Sequence, residues 1–250
     1  MAGAWFEPIR AYCERTDPGF WAEPLNAATN AAFLVAAALA GLRAVAGVGT
    51  GAGNLSGPRS IPPAIVDPPA LALAILAACV GAGSFLFHTL ALRWSMLADV
   101  IPIALFIYAY FLLAMRRFLG LGIAGATTAT LCFAGASLAL EPVLSLLAGR
   151  DLGAATNGSI DYVPALLALL GVGAALLASG AAPHRREAGR RILAVAALFL
   201  ASLAVRTLDR AACASLPHGT HFLWHLLNAG VLYALILTAL RFRAAQARAR

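Results

Sequence analysis

The stretch from residue 69 to residue 91 reads PALALAILAACVGAGSFLFHTLA and contains no Asp, Glu, Lys or Arg. A helix needs about 20 apolar residues to cross the hydrocarbon core of a bilayer. His88, near its end, is the one side chain in this stretch that can carry a positive charge. The stretch therefore predicts a transmembrane helix with a polar residue at one end.

Six further stretches have similar length and composition, and together they predict an all-α polytopic membrane protein. The predicted bundle of seven transmembrane helices forms a single domain over 1–250. Its helices are expected at 25–47, 69–91, 96–115, 118–139, 160–180, 190–212 and 219–241. The segments between them are typical of loops: 48–68 is rich in Gly, Pro and Ser, and the run HRREAGRR at 184–191 precedes the sixth helix.

The composition of the chain supports this class of protein. Apolar residues make up 61% of the chain and charged residues 12%, about half the roughly 25% that a water-soluble domain carries. The net charge of +7 comes from arginine alone, because the chain has no lysine. A nucleic-acid-binding protein gathers its basic residues into one patch. Here the arginines lie between apolar segments, so we expect no nucleic-acid partner.

The arginines also predict the orientation of the chain, because loops on the cytoplasmic side are rich in basic residues. With the N-terminus outside, twelve of the eighteen arginines fall on the inner side. They are Arg43, Arg59, Arg116, Arg117, Arg185, Arg186, Arg190, Arg191, Arg241, Arg243, Arg248 and Arg250. The abundance of Ala, Gly, Leu and Arg without lysine is typical of GC-rich bacteria. We therefore expect a multi-pass protein of the bacterial inner membrane, with a cytoplasmic C-terminus.

Polar side chains within apolar helices are costly and usually functional. In this chain they lie at the ends of even-numbered helices and at the starts of odd-numbered helices. Because successive helices alternate in direction, all of these positions are on one side of the membrane, which is the outer side in the favoured orientation. They are Glu23, Asn26, Asn30, Ser84, His88, Asp99, Arg206, Asp209, Arg210, His221 and His225. Unrelated polar residues would not be expected to gather on one side, so the pattern predicts a single site.

The spacing of the histidines indicates a metal site. His221 and His225 are four residues apart, so on a helix they share one face and can bind the same ion. His88 supplies a third nitrogen from another helix. Three protein ligands with one open position is the arrangement of catalytic zinc. The alternative is a set of core histidines that are hydrogen-bonded to their neighbours.

Two further residues lie at the same predicted depth. Ser84 is four residues before His88, so its hydroxyl faces the same pocket and could stabilise an oxyanion; alternatively it bonds back to its own helix. Asp99 would be a general acid–base group or the acceptor that holds a histidine. A purely structural carboxylate is the remaining alternative for Asp99.

Four segments of this chain resemble the alkaline ceramidase family, within the wider group of membrane hydrolases that includes the adiponectin and progestin receptors. The segments are YCER at 12–15, WAEPLNAATN at 21–30, GSFLFHTLALRWSMLADVIP at 83–102 and HFLWHLL at 221–227. The family pattern is Ser-x-x-x-His, then Asp eleven residues later, then His-x-x-x-His in the last helix. Ser84, His88, Asp99, His221 and His225 match that pattern.

The resemblance implies an intramembrane zinc amidase that hydrolyses ceramide, or a ceramide-like membrane lipid, to a fatty acid and a long-chain base. His88, His221 and His225 would hold the zinc. Asp99 would move the proton to the leaving amine, and Ser84 would help to stabilise the tetrahedral intermediate. The lipid would enter sideways between helices, so the resemblance also implies a large apolar pocket below the metal.

The resemblance further implies a calcium site and a disulfide near the N-terminus. Glu14 and Glu23 match two acidic calcium ligands of the family, Asn26 continues the same face, and Asp17 is a substitute ligand. Ala11 and Thr16 stand where the family has an aspartate and an asparagine. The alternative for Glu14 and Glu23 is that they cap the first helix or pair with Arg15 or Arg210. Cys13 and Cys213 would form the disulfide.

Two other functions compete with the enzyme. The first is a receptor-like or scaffold protein in which the zinc is structural, which a closed fourth coordination position would indicate. The second is a transporter. Transporters often have inverted repeats and matched broken helices, and neither is evident in this sequence.

Overall fold

Apolar helices joined mostly by short turns form the described part of the chain. The computed structural model describes residues 2–46, 66–178 and 182–249. In chain order the elements are α1 (Ala2–Trp5), α2 (Pro24–Thr29), α3 (Ala31–Ala46), α4 (Pro68–Leu90), α5 (Arg93–Arg117), α6 (Ile123–Ala148), α7 (Leu152–Ala155), a 3₁₀ turn (Ser159–Tyr162), α8 (Val163–Ala178), α9 (Pro183–Ala212) and α10 (His221–Arg248).

Seven of these helical segments are long and apolar enough to cross a membrane. The first combines α2 with α3, and the fifth combines the 3₁₀ turn with α8. Within the described ranges the only β pairing is an isolated bridge between Pro8 and Leu92. The predicted all-α bundle of seven transmembrane helices is therefore confirmed.

The fourth helix does not lie where hydropathy places it. The prediction was 118–139, whereas α6 runs from Ile123 to Ala148. After α5 the chain turns at Gly120, whose φ of 75° is in the left-handed region, and α6 starts after Gly122. Because residues 118–122 are as apolar as the helices, hydropathy cannot detect this turn. The predicted end of this helix, residue 139, is also too early, because α6 continues through Pro142 to Ala148.

The sixth and seventh helices are longer than predicted. The basic run at 184–191, expected as a loop, forms the first turns of α9, where Glu187 accepts a hydrogen bond from Arg191 at 2.7 Å. Such i,i+4 pairs favour a helix outside the apolar core. The last helix likewise continues beyond residue 241 to Arg248.

The first predicted helix is broken at Asn30, which separates α2 from α3. Its Nδ2 donates to the Asn26 carbonyl, and the Thr29 hydroxyl donates to the Leu25 carbonyl. Such side-chain bonds compete with the helix ladder. Several predicted features lie outside the described residues: most of the loop 48–68, the last residue of 25–47, residues 179–180, Arg59 and Arg250.

The core lies among α3, α4, α5, α8, α9 and α10, whereas α6 is peripheral and buries little more than Ala126. Small residues let the helices approach closely, as is usual in membrane bundles. A Cβ at Gly83 of α4 would overlap the backbone carbonyl of Ala98 in α5. Gly173 and Gly189 allow the same close approach between α8 and α9.

One carboxylate joins three helices at the end of the bundle where α5 ends. Asp67 caps α4 by accepting the Ala70 N–H at 3.2 Å. It also pairs with Arg117 of α5 at 2.9 Å and with Arg243 of α10 at 3.2 Å. Burial alone would raise the pKa of Asp67, but the bond to Arg117 and the nearby positive charges hold it below its usual value.

Candidate metal centre

The three candidate metal ligands meet at the end of the bundle opposite Asp67. His88 lies near the end of α4, and His221 and His225 occupy the first turns of α10. All three side chains are buried. One ring nitrogen from each lies within 4.8 Å of the others, so the three residues can hold a metal ion.

Hydrogen bonds determine which nitrogen of two rings is free. The Nδ1 of His88 lies 2.6 Å from Glu23 Oε2, and the Nδ1 of His225 lies 2.9 Å from Thr29 Oγ1. The Thr29 hydroxyl donates its proton to the Leu25 carbonyl. It therefore accepts from His225, just as the Glu23 carboxylate accepts from His88. Each ring then keeps its proton on Nδ1 and a lone pair on Nε2.

The free nitrogens are buried without a partner. His88 Nε2, His225 Nε2 and His221 Nδ1 have no hydrogen-bond partner among the described residues. A buried polar atom without a partner is costly, and such atoms are rare in native proteins. Three of them converging on one point fit a metal ion, and the outward bonds from His88 and His225 are typical of metal-ligating histidines. The alternative of ordinary hydrogen-bonded core histidines does not fit these atoms.

Ser84 and Asp99 lie beside the histidines and are both buried. The Ser84 side chain lies beside the Asp99 carboxylate, and the Arg206 guanidinium is near enough to act on Asp99 electrostatically. The close approach of α4 and α5 at Gly83, the residue before Ser84, brings the two side chains together. The structure therefore gathers all five residues of the sequence pattern in one place.

Tyr12 covers the histidines from the N-terminal segment. Its ring stacks on His221 with ring centroids 3.6 Å apart, and its hydroxyl accepts a hydrogen bond from Arg206 Nη1 at 3.4 Å. Burial raises the pKa of Tyr12 to about 12, although the Arg206 guanidinium opposes the shift. The phenol is therefore neutral at physiological pH. Sequence reasoning listed Tyr12 only within the YCER segment and gave it no role.

Asp209 holds the start of α10 in place. Its Oδ1 accepts the backbone N–H groups of Thr220 at 2.7 Å and His221 at 2.9 Å, and its Oδ2 accepts that of Cys13 at 3.3 Å. A carboxylate at a helix N-terminus is stabilised by the helix dipole. Sequence reasoning placed Asp209 with the other polar residues but assigned it no contact. Its burial in the sixth helix was the available signal.

A disulfide joins the same region. Cys13 and Cys213 are bonded, with Cα atoms 5.3 Å apart and 200 residues between them in sequence. The bridge ties the N-terminal segment to the end of α9, next to Asp209. The pairing that the resemblance implied is the one present in the structure.

The carboxylates of three candidate calcium ligands, Glu14, Asp17 and Glu23, have other partners. The fourth candidate, Asn26, donates its amide to Glu23 Oε2 at 3.1 Å, and its Oδ1 is buried without a hydrogen-bond partner among the described residues. Glu14 accepts the backbone N–H groups of Leu25 and Asn26 at the start of α2, at 2.7 and 2.8 Å. Asp17 is exposed and accepts the Gly19 N–H at 2.6 Å. Glu23 lies between His88 and Arg15. The geometry thus matches the alternative in which Glu14 caps the first helix and Glu23 pairs with Arg15.

The guanidinium of Arg15 lies among carboxylate and carbonyl oxygens near the candidate calcium ligands. Its Nε donates to Glu23 Oε1 at 2.5 Å, and its Nη atoms donate to the carbonyls of Gly19 at 3.2 Å and His88 at 2.8 Å. Burial alone would raise the pKa of Glu23, but the bonds with His88 and Arg15 hold it below its usual value. The fixed charge of Arg15 makes the segment a poor site for a divalent cation.

An apolar cavity lies inside the bundle, next to the metal centre. About 830 Å³ of space free of atoms lies in this region, including the space at its open mouth. It runs from Trp224 and Phe33, beside His225, to Ile192 near the opposite end. None of the three histidines lines it. The cavity therefore begins next to the metal centre and is lined almost entirely by apolar side chains.

Comparison of the chain with models of protein families and with curated proteins finds no match.

Proposed function

We propose that this protein is an intramembrane zinc-dependent amidase that hydrolyses the N-acyl bond of ceramide or a ceramide-like lipid. The observation that supports it is the set of three buried, unpartnered histidine nitrogens beside Asp99 at the end of an apolar cavity. Three nitrogen ligands suit zinc, and a catalytic zinc site has three protein ligands and one open position. The lipid's acyl chain would occupy the cavity, which places the amide near the histidines.

The residues divide the chemistry among them. When bound, zinc supplies a Lewis acid that polarises the amide carbonyl and acidifies water. Asp99 accepts the proton of the attacking water as the new C–O bond forms, and it delivers that proton to the amine as the C–N bond breaks. Ser84 lies beside the Asp99 carboxylate. Once Asp99 has taken up the proton, the Ser84 hydroxyl is free to donate to the developing oxyanion. The products are a fatty acid and a long-chain amine.

A receptor-like or scaffold protein with structural zinc is the second candidate. A structural zinc site usually has four protein ligands. In the described residues the group contains three histidines and no fourth His, Cys, Asp or Glu. This composition favours the enzyme. The proposal does not extend to calcium, because Arg15 already supplies the positive charge at Glu23.

We also propose that the metal centre faces the outside of a bacterial inner membrane, with the C-terminus in the cytoplasm. The basic residues Arg117 and Arg243, and the basic start of α9, lie at the end of the bundle away from the histidines. The positive-inside rule places that end in the cytoplasm. The disulfide lies at the metal end, where an oxidising compartment would preserve it.

The proposal is tested by hydrolysis of a fluorescent ceramide and of other N-acyl lipids by purified protein in detergent, with the metal content measured. Wild-type protein should turn over and contain one zinc per chain, and the double substitution His221→Ala, His225→Ala should lose both. His218→Ala is the matched control, because His218 is exposed at the same end of the bundle. It should retain zinc and turnover.

Asp99→Asn distinguishes the two candidate functions. An enzyme should keep its zinc and lose about 100-fold or more in turnover, because the proton acceptor is gone. If wild-type protein binds zinc and hydrolyses none of the N-acyl lipids tested, the amidase proposal fails and the structural-zinc candidate replaces it.

A further inference from the structure

Arg206 places a permanent positive charge at the metal end of the bundle. It lies in α9, where its guanidinium carbon is 5.0 Å from the ring centroid of Trp224 and 5.4 Å from that of Tyr162. Its Nη1 donates to the hydroxyl of Tyr12, the ring that stacks on His221. The cation is therefore fixed in position by aromatic rings.

The hydrogen bonds of this guanidinium are incomplete. The ion pairs among the described residues do not include Arg206. Its Nε is buried and has no hydrogen-bond partner among those residues. The one side-chain bond, to Tyr12, is long at 3.4 Å. An arginine has five N–H donors, so this residue has unused donors and an unpaired charge.

The position of Arg206 relates it to both the metal centre and the cavity. Trp224 and Tyr162, whose rings pack against the Arg206 guanidinium, also line the cavity. The charge also interacts with Asp99, without forming an ion pair. A negative group bound beside this guanidinium would give Arg206 the ion-pair partner that it lacks among the described residues.

We infer that the preferred substrate is an N-acyl lipid with an anionic group, a carboxylate or a phosphate, next to the amide, and that Arg206 binds this group. The inference rests on the proposed function, because it identifies the substrate class of that site. A neutral headgroup would remove water from this half-buried guanidinium without replacing the lost hydrogen bonds, and taking a charge out of water without a partner is costly. A carboxylate or phosphate would pair with the planar fork of arginine donors.

The first test measures binding without turnover. Ligand-induced shifts in thermal unfolding are measured in a non-ionic detergent, in an Asp99→Asn background. The probes are N-dodecanoylglycine, N-dodecanoyl phosphoethanolamine and the neutral N-dodecanoylethanolamine. The anionic probes should bind at least about tenfold more tightly than the neutral one, as is typical of charge-assisted hydrogen bonds. Whichever of the two anionic probes binds more tightly identifies the group as carboxylate or phosphate.

Variants assign the preference to one residue. Arg206→Met should abolish the difference between anionic and neutral probes and leave binding of the neutral probe unchanged. Arg206→Lys should restore part of the difference. Arg210→Met is the matched control, because Arg210 lies one turn further along α9, is exposed and bonds to the Ala11 carbonyl. It should keep the full preference.

Two results would overturn the inference: equal binding of all three probes to the parent protein, or an equal loss for every probe in Arg206→Met. The second result would mean that the guanidinium only packs against Trp224 and Tyr162. Hydrolysis of the same three probes is measured in a separate experiment, with protein in which Asp99 is intact. An Arg206-dependent preference in binding without any hydrolysis would support this inference and contradict the amidase proposal.

Discussion

Glu23 is the residue that connects the metal centre to the N-terminal segment. Its Oε2 accepts from His88 Nδ1, and its Oε1 accepts from Arg15. A carboxylate on the outer nitrogen of a histidine fixes the orientation of the ring and increases the basicity of the nitrogen that binds metal. Glu23 therefore acts on the metal through His88 and is a positioning residue.

Glu23→Gln should weaken zinc binding by about 10–100-fold, the usual effect of removing such a partner. Retention of zinc against a competing chelator is the measurement, and thermal unfolding reports separately on any loss of the pairing with Arg15. Glu187→Gln, which removes an exposed carboxylate on α9, is the control and should leave zinc affinity unchanged. Equal affinities in the two variants would refute the positioning role.

At the scale of elements, α4 and α5 form the pair that carries the candidate catalytic residues. Gly83 has no side chain where α4 meets the backbone of α5 at Ala98. The absence of a Cβ therefore allows Ser84 and Asp99 to reach each other. Small residues at helix contacts serve this purpose in membrane proteins generally.

Gly83→Ala should separate the two helices, because the new Cβ would overlap a backbone carbonyl that cannot rotate away. We expect a loss of about 1–3 kcal/mol in the free energy of unfolding, typical of overpacking, together with lower turnover. Gly135→Ala in α6 is the matched control, because a Cβ there has nothing within 4 Å. If the two variants unfold alike and turn over substrate alike, the proposed contact does not constrain the site.

At the scale of the whole molecule, Asp67 closes the end of the bundle that lies away from the metal. It caps α4, pairs with Arg117 and Arg243, and donates its backbone N–H to the Ala44 carbonyl of α3 at 2.9 Å. Four helices therefore meet at this one residue. Removing its carboxylate leaves Arg117, which is largely buried, without its ion-pair partner.

Asp67→Asn should lower the free energy of unfolding by about 2–4 kcal/mol, and it should also change the response to acid. The folded-state pKa of Asp67 is lowered, so the unfolded chain binds a proton more readily in acid. The stabilisation is therefore fully present above the usual pKa of 3.8 and is lost as the pH falls through the lower folded value.

Thermal unfolding in detergent from about pH 6 to about pH 3 checks this dependence. The wild-type melting temperature should fall more steeply below about pH 4 than that of Asp67→Asn, whereas Glu187→Gln should follow the wild type. Parallel curves for Asp67→Asn and wild type would show that Asp67 titrates alike in the folded and unfolded chain.

Local composition and residue spacing were enough to predict the membrane spans and the depth of the polar residues. Runs of about 20 apolar residues predict spans, and the topology of seven spans places His88, Asp99 and the pair His221 and His225 at one end. Composition and spacing could not locate the turn at Gly120, because the turn is as apolar as the helices around it. The basic run at the start of α9 was predicted to be a loop, although it is helical. Charged residues indicate where a helix leaves the membrane, but they do not indicate where the helix itself ends.

The partners of the polar residues, in contrast, become visible only once the helices are packed together. Tyr12 meets Arg206 across 194 residues of sequence, and Asp209 meets Cys13 across 196. The packing of the N-terminal segment also pairs Arg15 with Glu23. The physical reason is that hydropathy and helical periodicity report on single segments. Hydrogen bonds and ion pairs between helices depend instead on how seven segments rotate and pack against one another.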